Sequence, residues 1–391
     1  MSDPATPFPA PAYDLAAWRR RIPLLRTTIP MNNCSQGPQT DATRAAAEAF
    51  LASWDRMGMD WDAWITEVEG ARAEFARLVG ATPDEVAICG SVSEATSVIA
   101  SALDFGAGRD AIVVTEAEFP TVGHVWLAQE RRGARIQWVP VHDGIVNLED
   151  VGSPIDERTL LVSACHGFYE SGYKQDVAEI SRRAHERGAL SFVDAYQTLG
   201  TCPVDVKALD VDFLVGGALK YLMGTAGIAF LYVRGELIEK LHPTVTGWFG
   251  RKDPFAFRVK ELDWSPTARR FDGGTPPIVN ACIARAGMQM IAEVGPDRIA
   301  AWTEELSRHL IDGGSARGLQ LHGTSDHRSK TPTTAFRCPG DSHGVERAMR
   351  ERGVLPAARG QVIRLAPHFY STLDDLETAL DLLVDVLAER R

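Results

Sequence analysis

The sequence predicts an α/β protein: a three-layer α/β/α domain around a mostly parallel sheet, followed by a smaller α+β domain. Three observations predict it. Short apolar runs alternate with helical stretches from residue 85 to residue 233. No hairpin signal joins one run to the next, so the strands are expected to pair in parallel through helical crossovers. Beyond Pro243 the alternation breaks, and a separate set of helices and strands follows Pro276.

Residues 1–30 are Pro-rich and then helical over 15–25, and are expected to pack alongside another part of the molecule. Met31-Asn-Asn-Cys-Ser-Gln-Gly-Pro38 reads as a turn-rich loop. Helices are predicted over 41–56 and 66–79, either side of the Trp-rich stretch 54–64. Strands at 85–89, 111–115, 136–141, 159–164, 190–193, 213–215 and 228–233 alternate with helices at 94–103, 122–132 and 176–187. Residues 243–270 form an aromatic, charged loop region. Helices at 278–293, 297–313 and 373–389, with strands at 333–337 and 362–365, complete the chain. The expected division is a large domain over 31–275 and a small domain over 276–391, with 1–30 beside it.

The chain has 391 residues, 45% hydrophobic and 24% charged, as soluble globular proteins do. A net charge of -11 and the lack of a basic stripe argue against a nucleic-acid partner. No apolar run reaches the roughly 20 residues of a membrane span, and Met1-Ser-Asp-Pro does not open a secretory signal. A cytoplasmic protein is expected. Its six cysteines lack C-x-x-C spacing and read as buried thiols, not disulfides or metal ligands.

One stretch concentrates the chemistry. Val211 to Val233 is almost wholly apolar or glycine and carries a single lysine, Lys220. The other lysines (174, 207, 240, 252, 260 and 330) lie in polar surroundings and read as surface residues. Desolvation would lower the pKa of Lys220 and free its amine for Schiff-base chemistry. The alternative is a lysine that snorkels from a strand end. Three other features fall at strand ends. Gly90-Ser-Val-Ser93 leads into a helix, either as an anion cradle or as a plain N-cap at Ser93. Phe119 either stacks on a flat ring or belongs to the core. Asp194 ends a buried strand and either caps a helix or pairs with a cation such as a protonated pyridine nitrogen. An anion cradle, a stacking ring, a carboxylate and a lysine are the groups pyridoxal phosphate needs. The histidines have no ligand spacing, and no nucleotide-binding glycine motif is present, so neither a metal nor a dinucleotide is expected.

His166-Gly-Phe-Tyr-Glu-Ser-Gly172, Gly188 to Gly200, Pro203-Val-Asp-Val and Asp212-Phe-Leu with Lys220-Tyr-Leu-Met-Gly together resemble the central signature of the class V aminotransferases. Arg270 to Pro277 and Arg364-Leu-Ala-Pro-His-Phe-Tyr-Ser-Thr372 resemble its two later motifs. The resemblance implies the aspartate-aminotransferase-like fold type I and a pyridoxal phosphate enzyme acting at Cα of an amino acid. Amino transfer ranks first, ahead of a β-lyase (kynureninase-like or C–S) and an epimerase. A binding or regulatory protein on the same fold is the non-enzymatic alternative. It implies Lys220 as the catalytic lysine, Asp194 at the ring nitrogen and Gln197 at the phenolic oxygen. Phe119 would stack on the ring, and Ser91, Val92 and Ser93 would hold the phosphate. Thr275 would reach that phosphate from the other subunit of a homodimer. Arg364 would bind the substrate carboxylate unless it is salt-bridged to Asp374 or Asp375, and Asn33 and Trp248 are further substrate-binding candidates. Leu219 stands where relatives carry a histidine, and Tyr169 where cysteine desulfurases carry an asparagine. Residues 339–364 hold no cysteine, which disfavours persulfide chemistry.

Overall fold

The computed structural model describes residues 10–106 and 108–390; the reading of residues 1–9 lies outside them. Helix α1 (Leu15–Arg20) ends sooner than expected, because Pro23 starts a separate 3-10 turn. Strand β1 (Ile29–Pro30) precedes α2 (Asp41–Met57) and α3 (Trp61–Leu78). Thr40 caps α2 through a reciprocal bond with Thr43.

Seven strands then form the central sheet: β2 (Val86–Cys89), β3 (Ala111–Thr115), β4 (Arg135–Val139), β5 (Thr159–Cys165), β6 (Leu190–Asp194), β7 (Phe213–Gly217) and β8 (Ala229–Val233). Their order is β2-β8-β7-β6-β5-β3-β4. Strands β3 to β7 pair in parallel, and β8 runs antiparallel to both β7 and β2. The antiparallel return of β8 carries no local turn signature, because a long loop makes it.

Strand residues alternate between two cores, as a period of two demands. Ala87, Val114, Leu161, Phe192, Phe213 and Leu231 pack with α4 (Val92–Ala102) and α5 (Pro120–Leu127). Val86, Val113, Val162, Val193, Leu214 and Phe230 face the opposite way, towards α3 and α7 (Val177–Glu186). Short helices α6 (Leu148–Gly152) and α8 (Gly235–Ile238) complete this part.

Helix α9 (Ile278–Val294) packs on α2 and α3, with Ala281, Ala284, Met288 and Ile291 in the same cluster as Phe75. A different cluster, around Leu306, Leu310, Phe336, Ile363, Leu380 and Leu383, organises the chain beyond α9. That unit contains α10 (Pro296–Ala316), β9 (Leu321–His322), β10 (Thr334–Arg337), α11 (Ser342–Glu351), β11 (Val354–Leu355), β12 (Ala357–Arg359), β13 (Val362–Leu365) and α12 (Leu373–Glu389). We place the domain boundary at Gly295, between α9 and α10, instead of after Thr275, because α9 buries its apolar face on the large domain. The amino-terminal segment touches both units: β1 pairs with β11, Tyr13 bonds the Phe369 carbonyl and Arg19 meets Asp375 at 2.6 Å, while Ile22 joins the Phe75 cluster and Arg21 meets Asp41 at 3.1 Å.

Two expectations about side chains divide. Five of the six cysteines are buried, as expected, and Cys202 is half-buried. Lys330, expected on the surface, is buried at 7% exposure, because its polar neighbours in sequence form the seam between the domains. No helix among the described residues is long and apolar enough to cross a membrane.

A buried ion pair anchors the glycine-rich loop beyond β8 to the sheet. Arg72 on α3 is 2% exposed and meets Asp272 at 2.8 Å. Asp272 also accepts the Ile88 amide at 2.8 Å, and Arg72 reaches the Val86 carbonyl. Asp272→Ala would leave the guanidinium buried without its closest carboxylate. It should cost about 3–5 kcal/mol in urea unfolding, and a loss below about 1 kcal/mol would contradict the anchoring role.

Candidate active site

The site lies where parallel strands end, as ligand sites in such sheets do. A cavity of about 340 Å³ opens beyond β5, β6 and β7. Cys34, Ser35, Ser91, Phe119, Tyr169, Asp194, Tyr196, Gln197, Lys220, Arg359 and Arg364 are among its lining residues.

Lys220 sits in the long loop that reverses the chain between β7 and β8. Glycines let other backbones close on that loop. A Cβ at Gly37 would lie 2.4 Å from the Lys220 carbonyl oxygen, and one at Gly200 would lie 2.4 Å from that of Tyr221. Gly200 also has φ +88°, which side-chain-bearing residues rarely adopt. The Lys220 amine lies 4.2 Å from the Tyr196 ring centroid and 5.7 Å from that of Phe119. Burial pulls its pKa down to about 8, opposed by the Asp194 charge and assisted by Arg364 and Arg359.

Asp194 closes β6 at 5% exposure. Its Oδ1 accepts the Tyr196 amide at 2.8 Å, and it has no salt bridge among the described residues. Burial raises its pKa above the ordinary carboxylate value. The site thus holds a desolvated carboxylate in want of a positive partner. Gln197 gives its amide N–H to the Cys34 carbonyl at 3.0 Å, while its Oε1 is buried without a partner.

Ser91, not Ser93, caps α4: its hydroxyl accepts the Glu94 amide at 3.1 Å. The first amides of a helix have no intrahelical acceptor, so those of Val92 and Ser93 are available to an anion. Capping and cradling therefore coexist in this turn. Phe119 is 42% exposed, so it is no core residue; its ring stands edge-on to Tyr169 at 5.3 Å.

Arg364 is 1% exposed on β13. It bonds the Ala357 carbonyl at 3.3 Å, the Tyr169 carbonyl at 2.5 Å and the Ser35 hydroxyl at 3.1 Å. No carboxylate pairs with it among the described residues, since Asp375 belongs to Arg19. A buried guanidinium facing a cavity without a counter-charge is able to take a carboxylate.

Three candidates lie elsewhere. Asn33 is fully buried, giving its amide to the Ala366 carbonyl at 2.7 Å and accepting the Tyr370 hydroxyl at 2.6 Å. The next residues, Cys34 and Ser35, line the cavity instead. Trp248 belongs to an aromatic cluster with Trp61, Phe249, Phe255 and Phe257. Thr275 lines a smaller neighbouring cavity, which shares Gly90 with the main one. Among the described residues no cluster suited to a metal ion occurs.

The model of the family described as aminotransferase class-V matches residues 44–362. The chain belongs to the class V aminotransferase family. An uncharacterized aminotransferase of Bacillus subtilis, YcbU, is 36% identical over 93% of this chain and 96% of its own. Pseudomonas fluorescens kynureninase is 26% identical over 95% of this chain and 92% of its own. A cysteine desulfurase from Thermococcus onnurineus superposes with a TM-score of 0.86 at 22% identity, covering all of both chains, which establishes the common fold.

This class V enzyme acts on amino acids with pyridoxal phosphate, and its residues fit that cofactor. Asp194 and Gln197 offer the unmatched polar atoms, Lys220 an amine of lowered basicity, and the turn at 91–93 free amides. Sequence reasoning missed Tyr196, Cys34 and Arg359. Tyr196 had a signal in Gly217, where a Cβ would lie 2.2 Å from the tyrosine oxygen. Arg359 sits on a three-residue strand too short to read. Glu118 is also new: buried behind Asp194, it accepts the Ser163 hydroxyl at 3.2 Å, and burial with the Asp194 charge raises its pKa well above normal.

Only a neutral amine adds to an aldehyde. Reductive methylation of Lys220 in cofactor-free protein, followed by mass spectrometry, should therefore rise through a midpoint near pH 8. Asp194→Asn removes a charge that favours the ammonium, so the midpoint should move to lower pH. Equal midpoints in the two proteins would count against that coupling.

Proposed function

We propose that this protein is a homodimeric aminotransferase, with Lys220 as the catalytic base and Arg364 as the anchor of the amino-acid carboxylate. The observation that carries this reading is the unpaired, buried Arg364 guanidinium in the same cavity as the Lys220 amine. Bound covalently through Lys220, pyridoxal phosphate supplies the electron sink that makes the Cα–H bond of an amino acid acidic. The carboxylate of Asp194 would keep the ring nitrogen protonated, Phe119 would cover the ring, and Ser91, Val92 and Ser93 would hold the phosphate. In its neutral form the Lys220 amine would be the base that takes and returns the Cα proton. Arg364 fixes the carboxylate so that this proton faces Lys220. Amino transfer needs no further acid or base.

A β-lyase is the second reading. It is favoured by Tyr169 and Cys34, two cavity groups able to give a proton to a leaving side chain.

The dimer is supported by the aromatic cluster. Ring contacts run from Trp54 through Phe50, Trp64, Trp61 and Trp248 to Phe257. Along this path Trp54 is 55% exposed and Phe257 72%, with Val259 beside them at 95%. Apolar surface of this kind marks an interface. In such a dimer Thr275, on the loop next to the Gly90 turn, would serve a neighbouring subunit's phosphate site. Light scattering should return twice the chain mass, and a monomer would remove the support for a shared site.

Single-turnover reactions over a panel of amino acids should yield pyridoxamine phosphate and a 2-oxo acid. Pyruvate or alanine released by cleavage, without pyridoxamine phosphate, would select the lyase instead. Lys220→Ala should abolish turnover. Arg364→Leu removes charge-assisted bonds of about 3 kcal/mol, so kcat/KM should fall about 100-fold for amino acids but not for amines lacking a carboxylate.

A further inference from the structure

Lys330 takes no part in the cavity around Lys220, yet it too has been withdrawn from water. It lies on the seam between the domains, where Thr331 N–H bonds the Gly172 carbonyl at 2.7 Å and Lys174 N–H bonds the Ser329 carbonyl at 3.0 Å. The Lys330 amine donates to the Thr331 carbonyl at 3.0 Å and the Thr334 hydroxyl at 2.9 Å. An ammonium has three N–H groups, so two acceptors leave one unmatched. No carboxylate pairs with it among the described residues. Such a charge is costly, and burial pushes its pKa down to about 7.

Lys330 lines a cavity of about 50 Å³. A water-sized occupant needs about 10–15 Å³, so the space is large enough for a small ion. The walls come from four places: Lys174 beyond β5, Thr201 and Cys202 beyond β6, Thr303, Glu304 and Ser307 on α10, and the stretch from His327 to Pro332 apart from Ser329. Lys174, His327 and Arg328 add positive or titratable groups. Against them stands one carboxylate, Glu304, 3.5 Å from both His327 and Arg328. Lys174 has no ion pair among the described residues. The Thr331 hydroxyl accepts the Thr333 amide at 3.3 Å, leaving its own proton to donate. In a chain with net charge -11, this is a local reversal of sign.

We propose that this cavity binds a small inorganic anion, with Lys330 as its buried cation and Lys174 and Arg328 at its rim. The anion would bridge α10 of the small domain to the large domain. The same segment runs on to Thr333, whose hydroxyl lies 2.9 Å from the Tyr221 hydroxyl, next to Lys220. The anion thus braces the strand that backs the lysine loop. Binding is strongest while Lys330 is protonated. It weakens as pH rises through about 7. The other titratable or charged groups that line the cavity are His327, Glu304, Lys174 and Arg328.

The test uses the cofactor-loaded protein at constant ionic strength, replacing sodium gluconate with sodium chloride or with inorganic phosphate at pH 6.5. Calorimetry should show a saturable rise in Tm with at least one of the two. The chloride and phosphate arms separate a halide site from an oxyanion site. The rise should shrink at pH 8.5 and vanish in Lys330→Met. Equal Tm values in all three salts, or a rise that survives in Lys330→Met, would overturn the proposal. If that variant does not fold, Lys174→Met at the partly exposed rim replaces it. It should weaken the response about threefold, and an unchanged response would equally overturn the proposal.

Discussion

The site depends on a carboxylate that the fold desolvates and leaves unmatched. Asp194 ends β6 at 5% exposure with one backbone amide as its hydrogen-bond donor. Its charge holds up the basicity of Lys220, which burial pulls down, so two opposed effects place the amine near pH 8. A cofactor ring nitrogen that carries a proton would meet the need of Asp194, and the cost of burying the carboxylate would then be turned into affinity and orientation.

Sheet topology converts this local chemistry into geometry. Strands β5, β6 and β7 run in parallel, so their ends present His166, Asp194 and the start of the lysine loop on one edge. The antiparallel β8 then brings the chain straight back, and the reversal suspends Lys220 over the cavity. Gly37 and Gly200 let two other segments press on that loop, where any side chain would collide with its carbonyls. One of those segments lies more than a hundred residues away in sequence, so the lysine is held by contacts that its own stretch does not contain.

Arg364 and Lys330 show how differently two buried cations can be used. Arg364 is given three oxygen acceptors and is aimed into a cavity large enough for a substrate. Lys330 has two acceptors and a small cavity on the domain seam. Neither has a carboxylate partner among the described residues, so each has its charge available for a ligand. The Arg72–Asp272 pair, buried to a similar degree, is matched within the protein and acts as an anchor.

The chemical inventory was legible in the sequence: a lone lysine in an apolar stretch, an aspartate at the end of a strand, a serine turn before a helix, and the motif around Arg364. The strand-helix alternation was legible too, because both signals depend on residue type and short-range period. Tertiary structure alone decided that Asn33 and Trp248 lie outside the cavity, that Cys34, Tyr196 and Arg359 line it, that β8 turns antiparallel, and that Lys330 is buried among polar neighbours. Desolvation and close approach are set by segments far away along the chain, and no local pattern of residues encodes them.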